Sequence, residues 1–271
     1  MAEVYKVTLP DRTSFILKVF PRFHDYFREE YFLKRLRGSM LVPKIIAKVQ
    51  PSESFFGAIL MEFLEGELLQ RDRWSKDLAF DLGEALARLH SFREKAYGDL
   101  TRPETLTPDS STYFGRKFEE EINECRGHLP QDLVERCQTY FAHYRSLLSS
   151  VDGPCIVHRD FRPGNILILQ GRLQGIIDWS SACSGFAEQD FCSIEHFQWL
   201  AHPEYKKMFL KGYSSLRPIP SYELIMPLLR LGRALAVLGY TFKSRTWEGQ
   251  NRGLYRLNRQ FIDGFDFSSK V

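Results

Sequence analysis

What this 271-residue chain has little of narrows its character before any motif is read. No run approaches the ~18–20 uncharged apolar residues that a membrane span needs. The longest apolar stretch, Ile225–Phe242, is broken by Arg230 and Arg233. Met1–Pro10 contains Glu3 and Lys6 and alternates like a strand, so it has neither the basic start nor the apolar segment of a secretory signal. The five cysteines, Cys125, Cys137, Cys155, Cys183 and Cys192, form no C-x-x-C pair and are odd in number. That argues against a disulfide framework and a zinc ribbon, and the cysteines read as reduced thiols of a cytoplasmic protein. There is no internal repeat and no long Gly/Ser-rich or Pro-rich linker, which sets aside repeat arrays and tethered modules.

What is present is core material: 44% apolar, 14% aromatic and 26% charged residues describe a globular chain long enough for one large domain or two lobes. The net charge of +3 hides an uneven distribution, because Tyr205–Arg259 carries a local +9 and the remainder −6. The plainest reading of that basic stretch is solvated helix faces, with an anion-binding surface as the alternative. No nucleic-acid or membrane partner is expected.

Val4–Leu9 and Ser14–Phe20 read as a hairpin around Pro10-Asp11-Arg12, Tyr26–Leu36 as an amphipathic helix closed by Gly38, and Ile45–Val49 and Gly57–Phe63 as two more strands. Helices then fit Ser75–His90, Ser111–Cys125, Asp132–Ser149, Asp190–Trp199 and Tyr222–Phe242. The change of character near residues 64–69 places a boundary there. Residues 1–66 form one expected lobe and 67–271 the other.

The chemistry gathers in Cys155–Leu169, a strand, a polar loop holding Asp160 and Asn165, and a second strand; Ile176-Ile177 then ends a third strand in Asp178. An acid, an amide and a second acid at strand ends can converge on one point. Such a point suits Mg²⁺, a hard cation that takes oxygen ligands, with only one or two carboxylates supplied by protein. If Asn165 and Asp178 hold the metal, Asp160 is left to accept a proton from an attacking hydroxyl, the division of labour that phosphoryl transfer requires.

His158-Arg159-Asp160-Phe161-Arg162-Pro163-Gly164-Asn165 followed by Ile177-Asp178-Trp179 resembles the catalytic loop and metal-binding Asp of the protein-kinase-like superfamily. The match is closest to its aminoglycoside phosphotransferase and choline kinase branch. Ile16-Leu17-Lys18-Val19 resembles the strand that carries the phosphate-gripping Lys, and Arg28-Glu29 the helix whose Glu pairs with it. Leu60–Gly66 resembles the adenine-binding hinge, and Leu82–His90 the first large-lobe helix. The resemblance covers about residues 3–200 and implies an α+β, two-lobed fold with a small antiparallel β lobe bearing one helix and a larger, mainly helical lobe. It also implies ATP and Mg²⁺ as cofactors and a small-molecule hydroxyl acceptor.

Residue by residue, the resemblance makes Lys18 the ligand of the α/β-phosphates and Glu29 its partner, with Glu30 the adjacent alternative, since only one of two neighbours on a helix points inward. The Glu62 carbonyl and the Leu64 amide would hold adenine. Arg162 is either a planar grip on the γ-phosphate or a salt-bridged surface arginine. His158 reads as a buried, hydrogen-bonded prop of the loop. Asp190 reads as a helix-start cap that also braces the loop. Glu119, Glu120, Glu121 and Glu124 read as a solvated face. Two features depart from the family pattern. The given sequence starts inside the small-residue or Gly-rich loop that the family pattern places before Ala2–Val7, so either the start is truncated or misassigned or the first strand and loop are missing, and the basic C-terminal region suits a polycationic aminoglycoside poorly. A Ser/Thr protein kinase and a non-catalytic nucleotide-binding pseudokinase remain alternatives, the former opposed by the short spacing from Asp178 to Asp190 and the absence of an A-P-E triplet.

Overall fold

Residues 3–8 and 14–19 alternate along a ribbon, and in the computed structural model, which describes residues 2–197 and 203–268, they pair as β1 (Glu3–Thr8) and β2 (Ser14–Val19). Their antiparallel register sets Val4 opposite Lys18 and Lys6 opposite Ile16, so these four side chains share one face of the sheet. In the turn, Arg12 takes a left-handed φ of 69° and Asp11 Oδ1 accepts the Thr13 N–H at 2.9 Å. Helix α1 (Phe23–Leu36) buries Tyr26, Phe32, Leu33 and Leu36. Phe27 is 41% exposed and lies edge-on to Tyr26 at 5.3 Å. Gly38 ends the segment at φ 79°, a conformation that costs a residue with a Cβ. β3 (Ile45–Val49) and β4 (Ala58–Glu62) complete a four-stranded antiparallel sheet of order β1-β2-β4-β3.

The chain continues through β5 (Glu67–Leu68), α2 (Lys76–His90), α3 (Ser110–Cys125), α4 (Gln131–Tyr144), β6 (Cys155–Val157), β7 (Ile166–Leu169), β8 (Arg172–Ile176) and β9 (Cys183–Gly185). It ends in α5 (Glu188–Phe197), α6 (Pro203–Ser214), α7 (Met226–Lys243) and α8 (Arg252–Asp263). Ser75 caps α2 by accepting the Leu78 N–H at 3.1 Å. β7 and β8 form a hairpin whose turn residues, Gln170 and Gly171, both have positive φ, the twist that two-residue hairpins favour. α2 and α6 approach backbone to backbone through reciprocal glycines: a Cβ on Gly83 would strike the Phe209 carbonyl oxygen, and one on Gly212 that of Phe80.

Several expected boundaries shift. α6 and α8 were not anticipated. α4 ends at Tyr144, where Arg145–Ser150 tightens into a 3-10 helix. α7 begins at Met226 rather than Tyr222, with Pro227 in its first turn, where a missing N–H costs nothing. The last residues of the helix expected over Asp190–Trp199 lie outside the described residues. The chain divides into two compact units, 1–106 with 153–219, and 107–152 with 220–271. The boundary expected near residue 66 falls inside the first. In the second unit α3 packs on α7, and Glu124 pairs with Lys243 at 2.8 Å. Lys117 and Glu120 form a second exposed pair, as suits a solvated acidic face.

Candidate active site

Every residue singled out from the sequence as a site candidate lies in the first unit. Lys18 sits on β2, only 5% exposed, and its ammonium donates to Glu29 Oε2 at 2.9 Å and to Asp178 Oδ1 at 2.8 Å. Glu29 is therefore the helix partner. Glu30, one residue on, turns away to Lys34 and Lys48. Burial pulls the Lys18 ammonium toward neutrality, but the two carboxylates outweigh it and hold its pKa above the usual lysine value. Burial opposes ionisation of Asp178 as well, and Lys18 with the Ser180 hydroxyl overcomes it, keeping that carboxyl below the usual range. Glu29 is the most deeply buried of the three, and burial pushes its carboxyl up, with Lys18 offsetting only part.

β8 delivers Asp178 in a left-handed conformation, φ 64° and ψ 70°. That geometry is a local strain of the kind functional sites retain. Trp179, fully buried, anchors the turn: its indole N–H donates to the Ile176 carbonyl at 3.0 Å, and its ring stacks on Phe32 of α1 at 6.4 Å. The same helix that carries Glu29 thus packs on the residue after Asp178.

The loop between β6 and β7 holds the other two polar groups. Asn165 closes a one-turn 3-10 helix, Pro163–Asn165, and its amide Nδ2 donates to the Asp160 carbonyl at 2.8 Å and to Asp160 Oδ2 at 2.7 Å. The Asn165 carbonyl accepts the Ile177 N–H at 3.0 Å, which ties the loop to the strand entering Asp178. Arg162 is 45% exposed and salt-bridged, and its partner is Asp160, with Nε 3.0 Å from each carboxylate oxygen.

His158 props the loop as expected. Its Nδ1 accepts the Asp160 N–H at 3.3 Å and its Nε2 meets the Ile177 carbonyl at 3.1 Å, which assigns the Nε2–H tautomer. Fully buried, it is held below the usual histidine value by desolvation. Asp190 braces the loop without capping its own helix. Its two oxygens accept the backbone N–H groups of His158 at 2.8 Å and Arg159 at 2.7 Å. Sequence reasoning assigned no role to His90, yet its Nε2 lies 3.2 Å from Asp190 Oδ2 and its Nδ1 2.9 Å from the Tyr213 hydroxyl. The signal was available, because Leu82, Leu86 and His90 recur every four residues on the buried side of α2. Ser180, whose hydroxyl donates to Asp178 Oδ1 at 2.7 Å, had no such signal.

The donor set suits a hard cation. Both donors to Asp178 converge on Oδ1, which leaves Oδ2; both N–H bonds of the Asn165 amide go to Asp160, which leaves its Oδ1. Among the described residues no three His, Cys, Asp or Glu side chains gather as a metal cage. One carboxylate and one amide oxygen, completed by water and phosphate oxygens, is the pattern magnesium favours over an all-protein cage.

The homoserine kinase of Agrobacterium fabrum is 30% identical over 185 residues, 66% of this chain and 55% of that protein. The chain thus spans little more than half the length of the curated relatives it matches. Among solved structures, the gentamicin complex of APH(2″)-IIa superposes with a TM-score of 0.70 at 18% identity, covering 98% of this chain and 92% of that one. ADP-bound aminoglycoside phosphotransferase APH(2″)-Ib superposes with a TM-score of 0.65 at 17% identity, covering 98% and 93%. These likenesses establish the α+β kinase-like fold, with an antiparallel N-terminal sheet and a mainly helical remainder. The model of the phosphotransferase enzyme family matches residues 2–225, and the chain belongs to that family.

Proposed function

We propose that the chain transfers the γ-phosphoryl group of ATP to a hydroxyl of a small molecule. The observation that carries this reading is the Lys18 ammonium held between Glu29 and Asp178, in the same unit as an Asn165 amide bound to Asp160. Lys18 grips the α/β-phosphates and Glu29 keeps it aimed, while the Glu62 carbonyl and the Leu64 N–H take the base. Asn165 and Asp178 hold Mg²⁺, which supplies charge neutralisation along the phosphates. Asp160 orients the acceptor hydroxyl and takes its proton as the new O–P bond forms and ADP departs. Arg162 is within reach of the same group and moves from the Asp160 carboxylate to the γ-phosphate, which its planar fork matches. Positioning and electrostatics account for most of the rate in such a reaction.

Residues 1–66 serve nucleotide binding in this reading, and 67–271 supply the catalytic loop and acceptor binding, in the cytoplasm where ATP is available. The names of the curated relatives make homoserine, an amino-acid alcohol, the first acceptor to try. The local +9 of Tyr205–Arg259 disfavours a polycation. The test is ADP release with Mg·ATP and a panel of homoserine, other hydroxylated metabolites and aminoglycosides. One acceptor class should support turnover, and Asp160→Asn should lower kcat by roughly 10²–10⁴ with ATP affinity nearly unchanged. No ADP release with any acceptor, together with no thermal stabilisation by millimolar Mg·ATP, overturns the proposal.

A further inference from the structure

The sheet register places a second lysine on the same face of the sheet as Lys18. Lys6 is opposite Ile16, and Val4 is opposite Lys18, so Lys6 and Lys18 share a face. Ile16 is in turn opposite Met61 on β4, the strand that runs into Glu62, Phe63 and Leu64. Lys18 therefore stands over Asp178, and Lys6, two residues along the neighbouring strand, stands over the segment after β4. There its ammonium lies 3.9 Å from the centroid of the Phe63 ring.

The two lysines differ in how their charge is met. Lys18 is buried and neutralised by two carboxylates. Lys6 is exposed on an edge strand, and among the described residues no carboxylate pairs with it; the π-face of Phe63 is its recorded partner. An exposed lysine ordinarily trails into water, whereas this one is folded down over an aromatic ring of the segment proposed to receive the base. A cation over a ring face is attracted by the ring quadrupole, and a purine offers the same kind of face. The methylene stem adds an apolar surface for that base to lie against.

We propose that Lys6 is a nucleotide-contacting residue that covers the purine base, its stem against the base and its ammonium shared between the base and Phe63. This rests on the reading of Glu62–Leu64 as the base-binding segment. It assigns Lys6 to the base and leaves the phosphates to Lys18, and that distinction is what the experiment reads.

Lys6→Met keeps an unbranched stem and removes the charge on an exposed strand. Binding of adenosine, ADP and ATP to the wild-type chain and to this variant, measured by calorimetric titration, should show all three weakened by the same factor, about threefold to tenfold. Phe63→Leu should produce a loss of the same uniform kind. Weakening confined to ADP and ATP would make Lys6 a phosphate contact, and unchanged binding of all three would leave it no role; either result overturns the assignment while the nucleotide reading stands. A wild-type chain that binds none of the three overturns both.

Discussion

Arg162 holds both oxygens of the Asp160 carboxylate through one nitrogen, Nε, at 3.0 Å each, while the Asn165 amide also donates to Oδ2 at 2.7 Å. The carboxylate proposed as the proton acceptor is fixed in place, but part of its basic surface is covered. The guanidinium also lies across Gly164, where a Cβ would meet Arg162 Nη1. If Arg162 moves to the γ-phosphate during turnover, its loss removes an interaction made only in the transition state. Arg162→Ala is expected to lower kcat by about 10- to 100-fold with ADP affinity within about twofold of wild type. Arg162→Lys should recover part of the rate. Unchanged kcat in the alanine variant would return Arg162 to a surface salt bridge.

The Lys18–Glu29 pair gives a stability test. Removing the cation leaves Glu29 buried without its main compensation, so Lys18→Met should cost about 3 kcal/mol in chemical denaturation. Glu29→Gln on that background removes the stranded charge and should recover part of the loss, giving a non-additive double-mutant cycle. Additive losses would mean that the pair is solvated in the folded protein.

His158 sets a pH dependence whose sign follows from its burial. Its folded pKa lies below the ordinary 6.5, so below that pH the unfolded chain takes up a proton that the folded chain refuses. The contribution of His158 is fully present above pH 6.5 and is lost as pH falls toward the folded value. His158→Gln keeps an amide N–H for the Ile177 carbonyl and carries no titration. The difference in unfolding free energy between wild type and this variant should therefore shift in the variant's favour between about pH 7 and pH 5. A difference independent of pH would show that His158 ionises freely in the fold.

Two glycine substitutions should move stability in opposite directions. Gly83→Ala drives a methyl into the Phe209 carbonyl of α6 and should cost about 1–3 kcal/mol. Gly253→Ala on α8 meets open space within 4 Å and should gain about 0.5–1 kcal/mol. Equal effects on the denaturation midpoint would mean that α2 and α6 part readily.

These residues also show where the sequence was legible. The hairpin, Lys18, the loop from His158 to Asn165 and Asp178 are written in short stretches, because strand alternation and a loop flanked by strands depend on near neighbours. Glu29 over Glu30 needed the α1–Trp179 packing to decide it, since both carboxylates lie on the same turn of the helix. Asp190 reads as a cap and a brace because a helix start is visible in sequence, while the particular backbone N–H groups it serves, 31 and 32 residues away, are not. The Arg162–Asp160 pair was hidden for a different reason: the two are only two residues apart, and what joins them is the space above Gly164. α8 was missed although Leu254, Leu257 and Phe261 are spaced as a helix stripe, because arginines and glycine dominate its start.

The first unit is assembled from residues 1–106 and 153–219, with the intervening stretch belonging elsewhere. Lys18 and Glu29 are synthesised about 150 residues before Asp178, their shared counter-charge. During translation the early sheet must therefore wait, with a lysine and a glutamate whose setting is not yet built, until the ribosome has passed the β7–β8 hairpin and Asp178. Such separation in sequence slows closure of the native contacts, so the pairing of Lys18 with Asp178 should be among the last to form as the polypeptide matures.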